Sequence, residues 1–594
     1  MKQKQERGEI MNFTLRIKNV FRSIKNSFRR FPITIGVSTA LVIMLVILSE
    51  KGSQLTQNSR EILQRINMII ALGIPLSLCV KLIYEKKKYS NRVYEVIGYI
   101  FGGVILILYY LFLLKDFSMT SMVRYIGVSL FLYLAFAYIP WIGRKADYES
   151  YIIKVFSSFF LTAIYSFVLY LGISAILFTI DQLFNANIPG KYFYYTFLII
   201  AGIFAPSLFL ARIPEIDEDF SEYEYPISLK VLLLYIVIPL IAIYSTILYA
   251  YFLKIIITRI WPQGLVSHLV LWYSVLSVAV IFFITPILDM DRWAYRFKFW
   301  LSKLILPILI MMFISIGIRV KTYGITENRY FILVLGLWVL GIMLYFAFSR
   351  KLNNIIIPIS LSIIALNSVF GPLSSFSISK LSQNNRLKSI LTRNHMLEGS
   401  KILKAPEDIS IEDKEEISAI LRYFENHHSL ENIKKLPEDF EIKDMNRVFG
   451  FPYTEKDLYG YDYFYYQSEE KGKVLEVKEY HYLLESYGIV DSTQIKDNVM
   501  VSYNDRNYNF KIEEKDNIIY ETNLKKYALD IIKNIEDLNI KGNNTIEADK
   551  MIFIDENEKI KVKFVINSIN GERRSSIDDT MLRNIDYYVL IKIK

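Results

Sequence analysis

One candidate for chemistry in this chain is a lysine inside a long apolar stretch. Lys254 follows Tyr244 and Tyr251 in residues 231–257, which are apolar enough to cross a bilayer, and precedes Thr258. On a helix these four side chains fall within roughly 80° of one another and would form one polar face. Because ionisable groups are costly in hydrocarbon, the face could line a cavity or a substrate path. Alternatively, the lysine reaches the outer headgroups and the tyrosines belong to the interfacial aromatic belt.

Two short basic segments carry further groups that could bind a ligand. One contains Arg259 and the helix-breaking sequence Trp261–Gly264, and the other runs from Arg319 through Tyr323 to Arg329. Arginine forms charge-assisted, often paired hydrogen bonds with phosphate and carboxylate groups. These segments could therefore bind an anionic head group or phosphate. They could equally pair with the acidic C-terminal part of the chain.

His427 and His428, with Glu425 and Glu431 nearby, come closest to a metal-ligand cluster. Neighbouring residues on a helix point about 100° apart, so one ion cannot easily bind both imidazoles. We therefore expect a solvated helix end. Cys79 is the only cysteine, which excludes an intrachain disulfide and a cysteine-based metal site. The C-terminal part has no glycine-rich phosphate loop, and we predict no catalytic residue, metal or cofactor.

The composition of the chain changes near Gly371. With 53% hydrophobic residues, this chain of 594 residues is too apolar for an ordinary soluble enzyme. Before Gly371, apolar stretches of about 20 residues recur, the length that crosses ~30 Å of hydrocarbon. They predict eleven spans, at approximately 32–49, 66–84, 96–115, 123–142, 155–180, 192–211, 231–257, 265–288, 303–320, 330–348 and 353–370. The predicted architecture is an α-helical polytopic membrane domain (32–370) followed by a soluble α+β domain (371–594).

The distribution of charge predicts the orientation. Residues 1–370 contain 36 Lys and Arg against 19 Asp and Glu, whereas residues 371–594 contain 33 against 40. A basic excess beside membrane spans reflects topology, so a nucleic-acid partner is not expected. Alternate loops are enriched in Lys and Arg, including Lys86, Arg144 and Arg292, which places them and the N-terminus in the cytoplasm. Eleven spans then place the C-terminal domain outside the cytoplasm.

Two cytoplasmic segments have unusual patterns. Residues 1–31 are predicted to form a basic amphipathic helix on the inner leaflet, with anionic headgroups as partners at ~1 kcal/mol per basic residue. A disordered basic arm is the alternative. The second segment, 213–229, is acidic although it falls on the cytoplasmic side. Asp and Glu have little weight in the orientation rule, so the assignment stands.

The C-terminal domain shows helical and strand patterns in succession. Residues 372–397 and 411–424 predict helices, and 499–503 with 508–512 predict a hairpin. Residues 523–538 predict an amphipathic helix. The aromatic run from Tyr459 to Tyr466 could face a ligand, but we favour a strand packed on both faces.

Several of these segments together resemble a known family. They are Arg30–Phe31–Pro32, residues 248–254, Trp261–Gly264, Tyr323–Tyr330, Gly371–Pro372 and Ser379–Gln383 with Arg386–Leu387. The set resembles the bacterial membrane family known as domain of unknown function 4153, over most of the chain to about residue 425. The resemblance implies a multipass protein of the bacterial plasma membrane and brings no established activity.

Three classes of function stay open on sequence alone. A transporter or lipid-moving protein would use the polar face around Lys254. A membrane enzyme acting on envelope or lipid-linked substrates would need acids, arginines or histidines in the outer loops, where Asp181, Arg259 and His268 are sparse. A non-catalytic envelope protein would sense, scaffold or assist through its external domain, which would bind an envelope protein or a small molecule. The lack of a catalytic constellation favours this last class.

Overall fold

The computed structural model describes residue 22 and most of residues 24–594. The residues not described within that range are 53, 88–90, 145–146, 221–222, 260–264, 400, 438, 455–461, 470, 472–473, 487–488, 490–491, 497, 506, 516, 538–544 and 574–579. The chain forms two compact units, Met1–Tyr453 and Thr454–Lys594. Most of the predicted N-terminal amphipathic helix lies outside the described residues. The part of it that is described, residue 22 and residues 24–30, is helical.

The first unit is helical. Its helices are α1 (Pro32–Lys51), α2 (Gln57–Lys87), α3 (Val93–Phe112), α4 (Met119–Tyr138), α5 (Tyr148–Phe184), α6 (Lys191–Leu210), α7 (Ile227–Thr258), α8 (Leu265–Ile284), α9 (Arg292–Tyr323), α10 (Glu327–Phe348), α11 (Ile356–Val369), α12 (Ser375–Arg393), α13 (Ile411–His427) and α14 (Met445–Phe449). Within the described residues, ten helices, α1 to α10, are long and apolar enough to cross a membrane. The chain is therefore a multipass membrane protein.

The eleventh predicted span, 353–370, is a shorter helix. At 14 residues, α11 is ~21 Å long, less than the ~30 Å of a hydrocarbon core. It packs closely along α4: a Cβ added at Gly127 would lie 2.8 Å from a methyl of Val369. Further along the same pair, the Ser362 hydroxyl donates to the Tyr138 hydroxyl at 3.3 Å.

The two ends of α11 contact opposite ends of its neighbours. Just before it, Asn354 donates to Thr285 Oγ1 at 3.0 Å, directly after the last turn of α8. Just after it, the Phe370 ring lies 5.8 Å from the guanidinium of Arg124, in the second turn of α4. A short helix thus extends from one side of the bundle to the other.

Proline shapes two of the long helices. The π-helical segment Ile200–Phe204 precedes Pro206 in α6, and Leu232–Val237 precedes Pro239 in α7. Proline lacks an N–H and frees the carbonyl four residues earlier, which a wider turn accommodates. In α6 the freed carbonyl of Gly202 accepts a hydrogen bond from the Ser38 hydroxyl of α1.

Basic residues near the helix ends pair with part of the acidic segment 213–229. Arg30, just before α1, donates to both carboxylate oxygens of Glu85 at 2.9 and 3.1 Å and to the carbonyls of Ile213 (2.7 Å) and Pro214 (3.1 Å). Other pairs at this face are Arg144 with Asp217, Lys154 with Glu218, and Lys230 with Asp291. The arginine of the Arg30–Pro32 motif thus joins α2 to this segment.

Helices α12 to α14 extend the first unit beyond the membrane helices. Serines cap the first two: Ser374 Oγ accepts from Ser377 N–H, and Ser410 Oγ accepts from Asp413 N–H. The apolar faces enclose a small core of their own, which includes Leu387, Leu391, Ile417, Leu421, Phe424 and Phe449. Both helices follow the sequence prediction, but the compact unit runs to Tyr453 and not to Gly371.

The second unit contains two antiparallel-rich sheets and one long helix. Its strands are β3 (Asp462–Ser468), β4 (Tyr482–Glu485), β5 (Ser492–Lys496), β6 (Val499–Asn504), β7 (Asn509–Glu514), β8 (Asn517–Asn523), β9 (Thr545–Ile546), β10 (Ile552–Glu556), β11 (Ile560–Arg573) and β12 (Thr580–Ile593), after the short β1 (Leu397–Glu398) and β2 (Lys401–Ile402) of the first unit. The sheet orders are β4-β12-β11-β3-β9, with β10 also paired to β11, and β5-β6-β7-β8. The predicted hairpin is confirmed as β6 and β7, with Val501 opposite Ile512.

The core of the second unit lies against α15 (Leu524–Asp537). Its amphipathic pattern buries Leu524, Tyr527 and Ile531. Of the aromatic run, Phe464 is buried and stacks with Tyr466 on one face of β3, with the ring centroids 5.5 Å apart, whereas Tyr465 on the other face is half-buried. Residues 459 and 461 lie outside the described residues. An α-helical membrane unit and an α+β unit are thus the observed fold class.

Candidate functional site

A tight loop between α9 and α10 is held by side chains of α12. The carbonyl of Tyr323, at the C-terminus of α9, accepts hydrogen bonds from Gln383 Nε2 (3.1 Å), Arg329 Nη1 (3.2 Å) and Arg386 Nη1 (3.4 Å). The last carbonyls of a helix lack intrahelical partners and carry a partial negative charge. Two arginines and an amide therefore stabilise the end of α9.

The next residues of the loop extend this attachment. Ser382 Oγ accepts from the Ile325 N–H at 2.8 Å, and Gln383 Nε2 donates to the Ile325 carbonyl at 3.0 Å. Gly324 has φ 69° and ψ −179°, a conformation that L residues rarely adopt. A Cβ at Gly324 would lie 2.9 Å from Gln383 Nε2. The close approach of α12 to this loop therefore requires glycine at position 324.

The following residue, Glu327, is a buried acid that connects α10 to α13. Its side chain is 6% exposed. The Tyr423 hydroxyl contacts both carboxylate oxygens, at 2.8 and 2.9 Å, and His428 Nε2 lies 2.8 Å from Oε1. Tyr423 and His428 are themselves 3.1 Å apart. The expected solvated helix end is wrong for His428, whose side chain is only 4% exposed, although His427 is exposed.

This cluster of Glu327, Tyr423 and His428 has the electrostatics of a structural anchor. Burial and the adjacent carboxylate raise the pKa of the Tyr423 phenol, which therefore stays a neutral donor. A buried carboxylate requires such donors, because an unpaired charge would cost several kcal/mol. The Tyr423 hydroxyl beside the imidazole is committed to the carboxylate. The arrangement is better suited to holding helices together than to nucleophilic catalysis.

An arginine of α4 lies beside this cluster. The Arg124 guanidinium is 5.5 Å from the ring of Phe376, which lies 6.5 Å from the ring of His428 in an edge contact. Arg124 Nε is buried without a hydrogen-bond partner among the described residues. Cation–π contacts thus connect the beginning of α4 to the beginning of α12.

The polar face predicted on α7 is divided by the packing. The Tyr244 ring is half-buried, 5.3 Å from the ring of Tyr273, and Tyr251 is half-buried beside Phe252. Lys254 and Thr258 are exposed, on the side of α7 away from its buried residues. The described residues provide no ion pair for Lys254.

The other predicted binding residues divide into two places. Arg259 is exposed and ends α7 with φ 56°, and Trp261 lies outside the described residues. Arg319, Tyr323 and Arg329 lie together at the junction of α9 and α10. Only this second segment forms a cluster within the part of the chain that the structure describes.

Sequence reasoning missed Glu327, Tyr423 and the role of His428. Glu327 stood inside a recognised motif without an assigned role. Nothing local marks Tyr423 and His428, because their carboxylate partner lies 96 and 101 residues away. A single acid at the start of an apolar span was the one available signal.

Comparisons with known proteins find a distant relative and a family model. An uncharacterized protein of Pasteurella multocida (strain Pm70) is 22% identical over 289 residues, 48% of this chain and 48% of that protein. The match thus spans about half the length of that relative. No solved structure matches the chain significantly. The family model for a domain of unknown function matches residues 34–401, which include the Tyr323–Tyr330 loop and α12 but not Tyr423 or His428. Because this match covers more than half of the chain, the chain belongs to the family described as Domain of unknown function (DUF4153).

Proposed function

We propose that this protein is a non-catalytic protein of the bacterial plasma membrane that senses, scaffolds or assists a partner through its second unit. In this proposal the N-terminus is cytoplasmic and residues 371–594 are outside the cytoplasm. The partner is an envelope protein or a small molecule.

One observation carries this proposal. The polar groups of the Tyr323–Tyr330 loop are engaged in attaching helices to one another. Glu327 is saturated by Tyr423 and His428, and the Tyr323 carbonyl by Gln383 and two arginines. Such a network holds α12 and α13 rigidly against the membrane helices. A scaffold or a sensor needs this rigidity.

Transport is the second candidate, and the π-helical segments of α6 and α7 favour it. Broken or widened membrane helices occur at substrate sites of transporters. The segments Ile200–Phe204 and Leu232–Val237 are such widened turns. Against this reading, Lys254, the ionisable residue of α7, is exposed on the face away from the bundle.

Complementation of a gene-deletion phenotype separates the two proposals. We expect Lys254→Met to complement, because an exposed lysine contributes mainly its aliphatic stem. A chain ending after Tyr453 should insert into the membrane but fail to complement. A transporter using Lys254 gives the reverse pattern. Immunoblots of membrane fractions control for insertion, and complementation by the shortened chain would contradict the scaffold proposal.

A further inference from the structure

Two arginines lie near one tyrosine ring at the end of α9, and a third arginine lies one turn earlier on the same helix. The guanidinium carbon of Arg329 lies 5.5 Å from the centre of the Tyr323 ring, and that of Arg386 lies 5.9 Å from it. Arg319 lies four residues before Tyr323 on α9, so the two side chains fall on the same face of that helix. We call Arg319, Arg329 and Arg386 the arginine cluster.

The described residues neutralise only part of this positive charge. Arg386 pairs with Glu416 at 2.8 Å. Arg329 donates to the carbonyls of Tyr323 and Gly324, which are not charged. Among the described residues, Arg319 has neither a carboxylate partner nor a hydrogen bond.

The nearest buried acid does not serve the arginine cluster. Both oxygens of Glu327 are occupied by Tyr423, and one also contacts His428. Half-buried guanidinium groups need a counter-anion, because their desolvation is otherwise uncompensated. Arg319 and Arg329 therefore keep positive charge that no described carboxylate neutralises.

We propose that Arg319 and Arg329 bind the phosphate of an anionic phospholipid headgroup. Arg319 and Arg329 lie where the apolar helix α9 ends and α10 begins, and the ends of membrane helices meet the headgroup layer. Ile318 and Tyr323 beside it are 42% and 37% exposed, which suits contact with acyl chain and interface. Guanidinium groups bind phosphate oxygens through paired hydrogen bonds.

The acidic second unit is a competing source of the anion. Residues 454–594 contain 21 Lys and Arg against 27 Asp and Glu. A lipid is a better source of the anion than the second unit. Lipid headgroups are already present at this depth and require no further folding of the chain. The inference does not depend on whether the protein scaffolds or transports.

The test measures lipid retention by the full chain. Native mass spectrometry of the protein purified in detergent, with phosphatidylglycerol or phosphatidylcholine added, counts the lipids bound. We expect the native protein to retain phosphatidylglycerol preferentially. Arg319→Gln should weaken this retention about five-fold, the equivalent of ~1 kcal/mol for one basic residue near a headgroup. Arg319→Lys should restore part of it. Arg329 is unsuitable for substitution, because it also stabilises the end of α9.

Lys321→Gln is the matched control, since this exposed residue lies two positions away. It should weaken retention clearly less than Arg319→Gln does. Equal retention of both lipids by the native protein would overturn the proposal, and so would equal loss in the Arg319 and Lys321 variants. Zero-length crosslinks from Lys321 to carboxylates of residues 454–594, with unchanged lipid retention in Arg319→Gln, would assign the arginine cluster to the acidic unit instead. Matched thermal unfolding of the variants excludes misfolding.

Discussion

His428 Nε2 lies 2.8 Å from Oε1 of Glu327, although 101 residues separate them in the chain. The acid begins a membrane helix and the imidazole follows the last turn of a helix beyond the membrane. Since both side chains are almost fully buried, this contact connects the membrane helices to α13. The loop of Tyr323 and the residues of α12 surround it, so four helices meet at one polar cluster.

Removal of the Tyr423 hydroxyl tests the strength of this connection. Tyr423→Phe deletes the donor to both oxygens of Glu327 and keeps the ring. Hydrogen bonds to charged groups contribute ~1.5–3 kcal/mol, so we expect a clearly lower unfolding midpoint in detergent. Tyr453→Phe is the control, because its hydroxyl contacts Arg422 at an exposed position. Equal midpoints for the two variants would contradict a stabilising role for the Glu327 cluster.

Gly324→Ala tests the close approach of α12 to the loop. With φ 69° and Gln383 Nε2 2.9 Å from the added Cβ, the substitution strains the backbone and displaces the amide. We expect a loss of ~1–3 kcal/mol in the free energy of unfolding. Gly317→Ala, in the middle of α9 with open space around its Cβ, should be neutral or slightly stabilising. The two variants can be compared by thermal unfolding in the same detergent. An unchanged midpoint for Gly324→Ala would show that the loop can adopt another conformation.

Asp413 makes the stability of the first unit depend on pH at the acidic end. Burial opposes its ionisation, but hydrogen bonds from Arg393 and Asn394 outweigh burial and lower its pKa. A lowered folded pKa stabilises the protein above the unfolded pKa of ~3.9 and ceases to do so as the pH falls through the folded value. Unfolding midpoints should therefore decline below about pH 4. Asp413→Asn should lower the midpoint at neutral pH and flatten this decline, whereas an equally steep decline would assign the acid sensitivity to other carboxylates.

The sequence predicted the elements that depend on local periodicity. Ten spans, the helices α12, α13 and α15, and the hairpin of β6 and β7 follow from apolar length or spacing. Distant pairings could not be predicted in this way. The exposed position of Lys254 depends on which side of α7 its neighbours cover, and periodicity alone does not give that side. The burial of His428 likewise depends on a partner from another helix.

The roles of the motif residues could not be predicted from the sequence either. Arg30, Gly324 and Gln383 were recognised as a set, but their roles became clear only from contacts between helices. Arg30 secures Glu85 at one face of the bundle, whereas Gly324 and Gln383 fit together at the other. Composition indicated the membrane, and tertiary packing determined which polar groups support the fold.

The side of the membrane that holds the second unit depends on α11. With ten spans alone, the C-terminus would lie on the same side of the membrane as the N-terminus. If α11 also crosses, the C-terminus lies on the opposite side. Although its 14 residues make it short, its ends contact Thr285 through Asn354 and Arg124 through Phe370, on opposite sides of the bundle. A bilayer can thin locally beside a short helix at modest cost.

We therefore expect alkaline phosphatase fused after Lys594 to be active and green fluorescent protein fused there to be dim. Fusions after Arg350, before α11, should give the opposite pair, and identical results at the two positions would mean that α11 does not cross.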